Sequence, residues 1–198
     1  MDERQLVRWA NPTLGGLPAL LPPSHKWAYS FHDLVSLAVI AVMKQRQVST
    51  SAVRQSIIYL GAKFETERPL AHKKVVGQLM TAGDAVLLGD GEEASAGGQM
   101  AMLETVETYL RRIEYGKGSR MASLWRPARY VTLDPQVQAG APCIAGTRVP
   151  TTTVWGRMER GESAGDVAWD LELEVRAVRA AARFEANLHD SHGLALVA

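Results

Sequence analysis

The run from Gly140 to Pro150, Gly-Ala-Pro-Cys-Ile-Ala-Gly-Thr-Arg-Val-Pro, constrains the fold more than any other stretch of the chain. Proline at 142 and 150 fixes φ and removes two amide donors, and each pushes the residue before it towards extended backbone. Cys143-Ile144 and Arg148-Val149 then read as short extended segments flanking a tight Ala145-Gly146 bend, and Pro150 opens a helix through Met158 to Gly161. Upstream, Tyr130-Val131-Thr132-Leu133 is a strand and Asp134-Pro135 a turn. Downstream, Ser163 with Asp166 three residues later is a capping box that starts a short helix containing Val167 and Leu171. Val175, Val178, Ala182 and Leu188 carry a final helix. Strands followed by three short helices predict a small winged-helix-like unit, with a frayed tail beyond His189.

The front of the chain is punctuated differently. Met1 to Ala10 can form a short helix with Leu6 and Trp9 on one side and Arg4 and Arg8 on another, stopped by Asn11-Pro12. A Gly/Pro-rich loop follows, up to Pro22-Pro23. Ser30 and Asp33 form another capping box. Phe31, Leu34, Val35, Ala38 and Val42 keep a helical stripe that Leu37, Ile40 and Ala41 widen until the helix is apolar nearly all round. Such a helix is buried or shared between subunits, so a homodimer built on the front helices is expected. After a turn at Arg46-Gln47, Ser49 caps a second helix, with Val48 and Val53 spaced as a hydrophobic staple and Gly61 as its stop. Residues 72–79 and 85–88 read as strand-like runs around Ala82-Gly83-Asp84. Leu103, Val106, Leu110 and Ile113 predict a helix ending in Arg111-Arg112, and Gly116 and Gly118 mark a linker. The fold class expected is mainly α with small β hairpins, in two units, 1–127 and 128–198.

Charge separates the two units. Residues 1–76 carry ten Lys/Arg against five Asp/Glu, residues 77–110 carry none against six, and residues 111–129 six against one. Residues 151–198 carry five against eight. A basic front and an acidic rear suit a protein that meets a polyanion with one part and a different partner with the other, although solvated faces give the same counts. The single cysteine, Cys143, excludes an internal disulfide. Met1-Asp2-Glu3-Arg4 lacks a secretory apolar core, and no run approaches the roughly 20 apolar residues of a membrane span. A cytoplasmic protein without membrane contact is expected.

Catalytic patterns are also missing. Cys143 has no nearby histidine to act as base. His25, His32, His72, His189 and His192 show no metal-ligand spacing beyond His189/His192 in the tail. Ser163 and Asp166 are explained by capping, and Gly146-Thr147 lies in no phosphate-loop frame. Neither enzyme activity, metal nor cofactor is expected.

The Gly140–Pro150 run resembles the signature G-x-P-x-I-x-G-T-R-x-P of a small bacterial antitoxin domain, usually encoded beside ribonuclease toxins of the PIN-domain type. Gly161-Glu162-Ser163 and Val175-Arg176-Ala177-Val178-Arg179-Ala180-Ala181 follow the same family's pattern, so the likeness covers about 129–188. Tyr29-Ser30-Phe31-His32-Asp33-Leu34-Val35 and Gln47-Val48-Ser49-Thr50-Ser51-Ala52-Val53-Arg54 resemble the second half of a MerR-type helix-turn-helix domain. Gln47 stands where that family has glycine. Arg4 to Trp9 match its DNA-reading second helix, without the scaffold helix that precedes it there. Chains joining these two parts resemble VapB-type antitoxins. That resemblance implies a PIN-domain toxin and operator DNA as partners, with a plain transcriptional regulator whose rear unit binds a ligand or protein as the alternative. A toxin-binding module without a DNA role is a third reading.

Several residues follow as candidates. Arg4, Gln5 and Arg8 are types that reach base edges and phosphates, or line a solvated helix face. His25-Lys26 after the proline loop and Lys73-Lys74 are candidates for phosphate contact, and Arg54 for a structural ion pair. The resemblance implies that Arg148 enters the toxin's carboxylate cluster as a charge-assisted match. The density of turn residues favours the other reading, in which Arg148 braces the hairpin against Asp134 or a backbone carbonyl. Trp155 and Trp169 are candidate interface anchors, or core.

Overall fold

The structure, a computed structural model, describes residues 3–11, 19–24, 28–82, 85–87, 104–105, 110 and 112–190. The chain divides into two compact units, Met1–Arg111 with Tyr115–Ala122 and Arg112–Glu114 with Ser123–Ala198. Helices combine with small antiparallel sheets, as the sequence suggests, one sheet reaching four strands. The second unit takes in Arg112–Glu114 and its continuous part starts at Ser123, five residues before the expected 128, because the strand running to Ala128 pairs forward within that unit.

In the first unit, helix α1 spans Glu3–Ala10 and ends where the Asn11 side-chain amide donates to the Val7 carbonyl at 2.8 Å. Helix α2 spans Phe31–Gln45. Both halves of its capping box form: Asp33 N–H donates to the Ser30 hydroxyl at 3.1 Å, and Ser30 N–H to the Asp33 carboxylate at 2.7 Å. Helix α3, Thr50–Phe64, is capped by Ser49, with Val48 and Val53 both fully buried. The apolarity of α2 is accounted for inside one chain, since Val35, Ala38, Val39, Ile40 and Met43 have no exposed surface. It therefore gives no ground for the dimer expected from it.

Helix α3 does not stop at Gly61. It continues to Phe64 and closes on Glu65 in the left-handed region, at φ 52°. Glycine at 61 favours close approach rather than termination: a Cβ there would stand 3.2 Å from the Thr66 carbonyl oxygen, tighter than such contacts usually are. Residues 72–79 are not the expected strand. Pro69 opens a 3-10 turn, Pro69–Ala71, followed by the short helix α4, Lys73–Val76, which buries Leu70, Val75 and Val76. The expected hairpin begins after it, with β1, Met80–Ala82, paired to β2, Ala85–Leu87. The helix expected around 103–113 gives way to β3, Glu104–Thr105, on the other side of β1, and to β4, Ile113–Tyr115. A partner for the second edge of β1 outweighs the helical spacing there. Residues 103, 106–109 and 111 lie outside the described residues.

A buried polar lock holds the start of α2. The Asp33 side chain is fully enclosed and pairs with Arg68. It also accepts from Ser24 N–H at 3.0 Å, while Arg68 Nη2 donates to the Pro22 carbonyl at 2.8 Å. Burial by itself would lift the Asp33 pKa. Hydrogen bonds from Ser24, Ser30 and Arg68 outweigh it and hold the carboxyl below its usual range.

In the second unit, β4 is followed by β5, Ala122–Ala128, β6, Val131–Leu133, and β7, Pro142–Ile144, in the order β4-β5-β6-β7. Trp125 faces Leu133, and Val131 faces Ile144. Tyr130, expected to open the strand, is instead a left-handed turn residue at φ 65°. Three helices follow as expected: α5, Thr151–Glu159, α6, Ala164–Asp170, and α7, Val175–Asp190. Ile144, Val154, Val167, Val178 and Ala181 close their core, each buried valine contributing about 1.5–3 kcal/mol. The expected frayed tail falls outside the described residues. Among the described residues, no helix is long and apolar enough to cross a membrane.

Candidate functional site

The Gly140–Pro150 hairpin is braced by main chain. Ile144 N–H donates to the Val149 carbonyl at 2.9 Å, Ala145 N–H to Tyr130 at 2.9 Å and Thr147 N–H to Ile144 at 3.0 Å. Gly146 supplies the left-handed φ of 78° that the bend requires. The Thr151 hydroxyl lies against the Pro142 carbonyl and the buried Glu185 carboxylate, tying the start of α5 to β7 and α7.

Bracing by the Arg148 side chain is not what the structure contains. Arg148 is exposed, and its guanidinium has no ion pair among the described residues. Its carbonyl accepts from the Gln138 amide at 3.0 Å, while Asp134 accepts from Gln136 N–H at 2.8 Å. Local hydrogen bonds satisfy the turn, so the arginine head is left to solvent.

The two candidate tryptophans part company. Trp155 is half-buried and stacks on His189, with ring centroids 5.6 Å apart. Trp169, on α6, is 85% exposed. Beside it opens a recess of about 540 Å³ lined by Gly165, Ala168, Glu172, Leu173 and Val175. Arg157 fixes α6 from below: its Nε donates to Glu162 at 2.8 Å and its Nη2 reaches both Glu162 and, at 2.6 Å, Asp170. The bonds from Arg157 to Glu162 hold that carboxyl below its usual range. Carboxylates of Asp166 and Glu172 remain on the same exposed stretch.

Sequence reading overlooked a basic edge of this unit. Arg129 and Arg176 flank the Tyr130 ring, at 4.9 and 5.6 Å from its centroid, and Arg179 and Arg183 are exposed along α7. The spacing 176, 179, 183 on one helix face was the available signal.

In the first unit, Arg8, Lys73 and Lys74 are exposed. Arg4 and Gln5 lie on α1, but their side chains fall outside the described residues, as do His25 and Lys26. Arg54 is 8% exposed, in keeping with a structural part. Burial, opposed by Arg148, lifts the Cys143 thiol pKa. Among the described residues no cluster of His, Cys, Asp and Glu could hold a metal ion.

Residues 131–184 match a family of proteins of unknown function, DUF433. Among solved structures, the chain is similar to Rv2018 from Mycobacterium tuberculosis, determined by X-ray crystallography, with 19% identity. The likeness covers 90% of this chain and 89% of that one at a TM-score of 0.60, a shared fold. No curated protein matches the sequence.

Proposed function

We propose that this chain is an antitoxin-type regulator: the first unit binds operator DNA, and the second neutralises a ribonuclease toxin of the PIN-domain type. The observation that carries the reading is Trp169. A tryptophan buries about 150–250 Å² when covered, equivalent to about 4–6 kcal/mol of apolar transfer. An 85% exposed ring beside an apolar recess supports its use as a protein-binding anchor. The Gly140–Pro150 likeness to antitoxin domains supplies the class of partner, and the solvent-facing Arg148 has the chemistry to meet a toxin's carboxylates. The MerR-like pair α2 and α3, with Arg8, Lys73 and Lys74 on the same unit, supplies the DNA half of the reading. A two-fold assembly on a symmetric operator belongs to it as well, checked by light scattering against the 21.6 kDa of one chain.

The test is co-expression with the ribonuclease encoded beside the gene, followed by copurification and an RNA-cleavage assay. The complex is expected to form and to suppress cleavage. Trp169→Ala is expected to weaken it at least 10-fold. Arg148→Ala is expected to relieve inhibition at unchanged fold, weakening binding by about 2–5 kcal/mol because the toxin's carboxylates lose their partner. A chain that ignores the neighbouring ribonuclease removes the antitoxin reading.

A further inference from the structure

The turn between β4 and β5, Gly116-Lys117-Gly118-Ser119-Arg120, has no part in the function proposed so far, yet it is held with care. Ser119 N–H donates to the Gly116 carbonyl at 3.0 Å, and the Ser119 hydroxyl accepts from Met121 N–H at 3.1 Å. Lys73 N–H donates to the Arg120 carbonyl at 2.7 Å, and His72 forms a β-bridge with Met121. The turn is thus fastened to α4 within one unit. Two cationic pairs, Lys73-Lys74 and Lys117 with Arg120, are brought to one place from segments over 40 residues apart in sequence.

All four side chains are exposed, and none has an ion pair among the described residues. One residue of each pair lies close to His72: burial depresses its pKa, and the charges of Arg120 and Lys74 depress it further. Lys73 Nζ sits 6.0 Å from the centre of the Tyr115 ring. Of the carboxylates near in sequence, Glu114 is taken by Arg126 at 2.6 Å, which leaves Glu65 and Glu67, on either side of Thr66, whose hydroxyl points at the Met121 sulfur. Four cations therefore outnumber two carboxylates. At the tip, Gly118 has φ +79°, and a Cβ there would meet nothing within 4 Å, so another backbone can come close.

We propose that Lys117 and Arg120 join Lys73 and Lys74 in one clamp for the phosphodiester backbone of duplex DNA. The inference rests on the reading of this chain as a DNA-binding regulator, and adds to it a contact that reads charge and not base sequence. Four cations in two pairs, on a rigid turn and a helix, suit a line of phosphates better than a single small anion, which one pair would satisfy.

The experiment uses the full chain and fluorescence anisotropy with labelled 20-base-pair duplexes of unrelated sequence, between about 50 and 200 mM salt. The wild type is expected to bind with a steep salt slope. Lys117→Ala with Arg120→Ala is expected to shrink that slope by about 1.8 and weaken binding roughly 60-fold near 0.1 M salt, two phosphate contacts being removed. Lys117→Arg with Arg120→Lys is expected to keep the slope, and thermal melting confirms that each variant folds. A wild type that binds duplex DNA with a slope the alanine variant leaves unchanged overturns the clamp alone. A wild type that binds no duplex removes the DNA reading and the clamp together. A variant that loses single-stranded RNA while keeping duplex DNA overturns the choice of ligand.

Discussion

The two units handle charge in opposite ways. The first sinks an ion pair, Asp33 with Arg68, into the interior and leaves Lys73, Lys74, Lys117 and Arg120 facing solvent. The second keeps its pairs on the surface, Arg157 with Glu162 and Asp170, Arg176 with Glu174 and Arg126 with Glu114, and leaves an indole facing solvent. A cation already matched by a carboxylate attracts a polyanion weakly, so in the second unit the exposed arginines without such a pair among the described residues, Arg148, Arg179 and Arg183, count for more than the total does. The contrast teaches that net charge by segment misleads unless the pairing is known. The second unit is acidic in sum, and it is the naked ring that marks its outward-looking surface.

The largest test of this contrast is Arg68→Ala. It leaves a buried carboxylate without its cation and is expected to cost about 3–5 kcal/mol in urea unfolding. Arg157→Ala, which breaks pairs open to water, is expected to cost clearly less and to lose its effect in high salt. Equal losses would erase the distinction between an internal and a superficial lock.

Next in size is the loss of a cap. Ser49→Ala in the first unit and Ser163→Ala in the second each remove an acceptor for an amide at a helix start. Each is expected to lower stability by about 1 kcal/mol, because capping is local and indifferent to which unit it serves. Calorimetric melting of the two variants checks this.

Acid should tell on the first unit through two groups. His72 has a folded pKa depressed below its ordinary 6.5, so the unfolded chain takes up the proton first. Stability is whole above that value and falls as pH drops through it towards the folded pKa. Asp33 has a folded pKa below its ordinary 3.8, so its contribution is present above that value and is lost further into acid. His72→Phe should flatten the first decline and leave the second. A profile in which stability rises between pH 7 and 5 would contradict the burial of a neutral imidazole.

The smallest expected effect is on folding of Trp169→Ala. An exposed ring contributes little to its own unit, so the melting temperature should stay within the shift of about 0.5 kcal/mol typical of surface positions. Against the loss of partner binding expected for the same variant, this sharpens the reading of Trp169 as outward-facing. A large loss of stability would make it structural after all.

What the sequence disclosed was local. Ser30, Ser49 and Ser163 announce their helices because a cap depends on a hydroxyl three residues from an amide, and all three sit where expected. The Gly140–Pro150 hairpin was legible for the same reason. The misreadings depend on partners distant in sequence: Glu104-Thr105 become strand because β1 offers them an edge, and Asp33 meets Arg68 across 35 residues. Gln47, where the resembling family has glycine, takes the left-handed φ of 64° that glycine favours. Among candidate residues, the adjacent lysines Lys73-Lys74 stand out in the sequence, whereas Lys117 and Arg120 lie in a stretch that Gly116 and Gly118 mark as a linker. Only the fold shows that the turn holding them is fastened beside α4.

Cys143 gives the second unit a built-in clock. It is the chain's sole cysteine, 1% exposed within β7, and burial keeps its thiol protonated beyond the usual range. An alkylating reagent needs the thiolate and a path to it, so modification in the native protein records each opening of the sheet around β7. The rate of that single covalent event, followed by mass, measures how often the sheet breathes. Slowing of the clock when a partner binds the second unit would report engagement without any label on the binding surface.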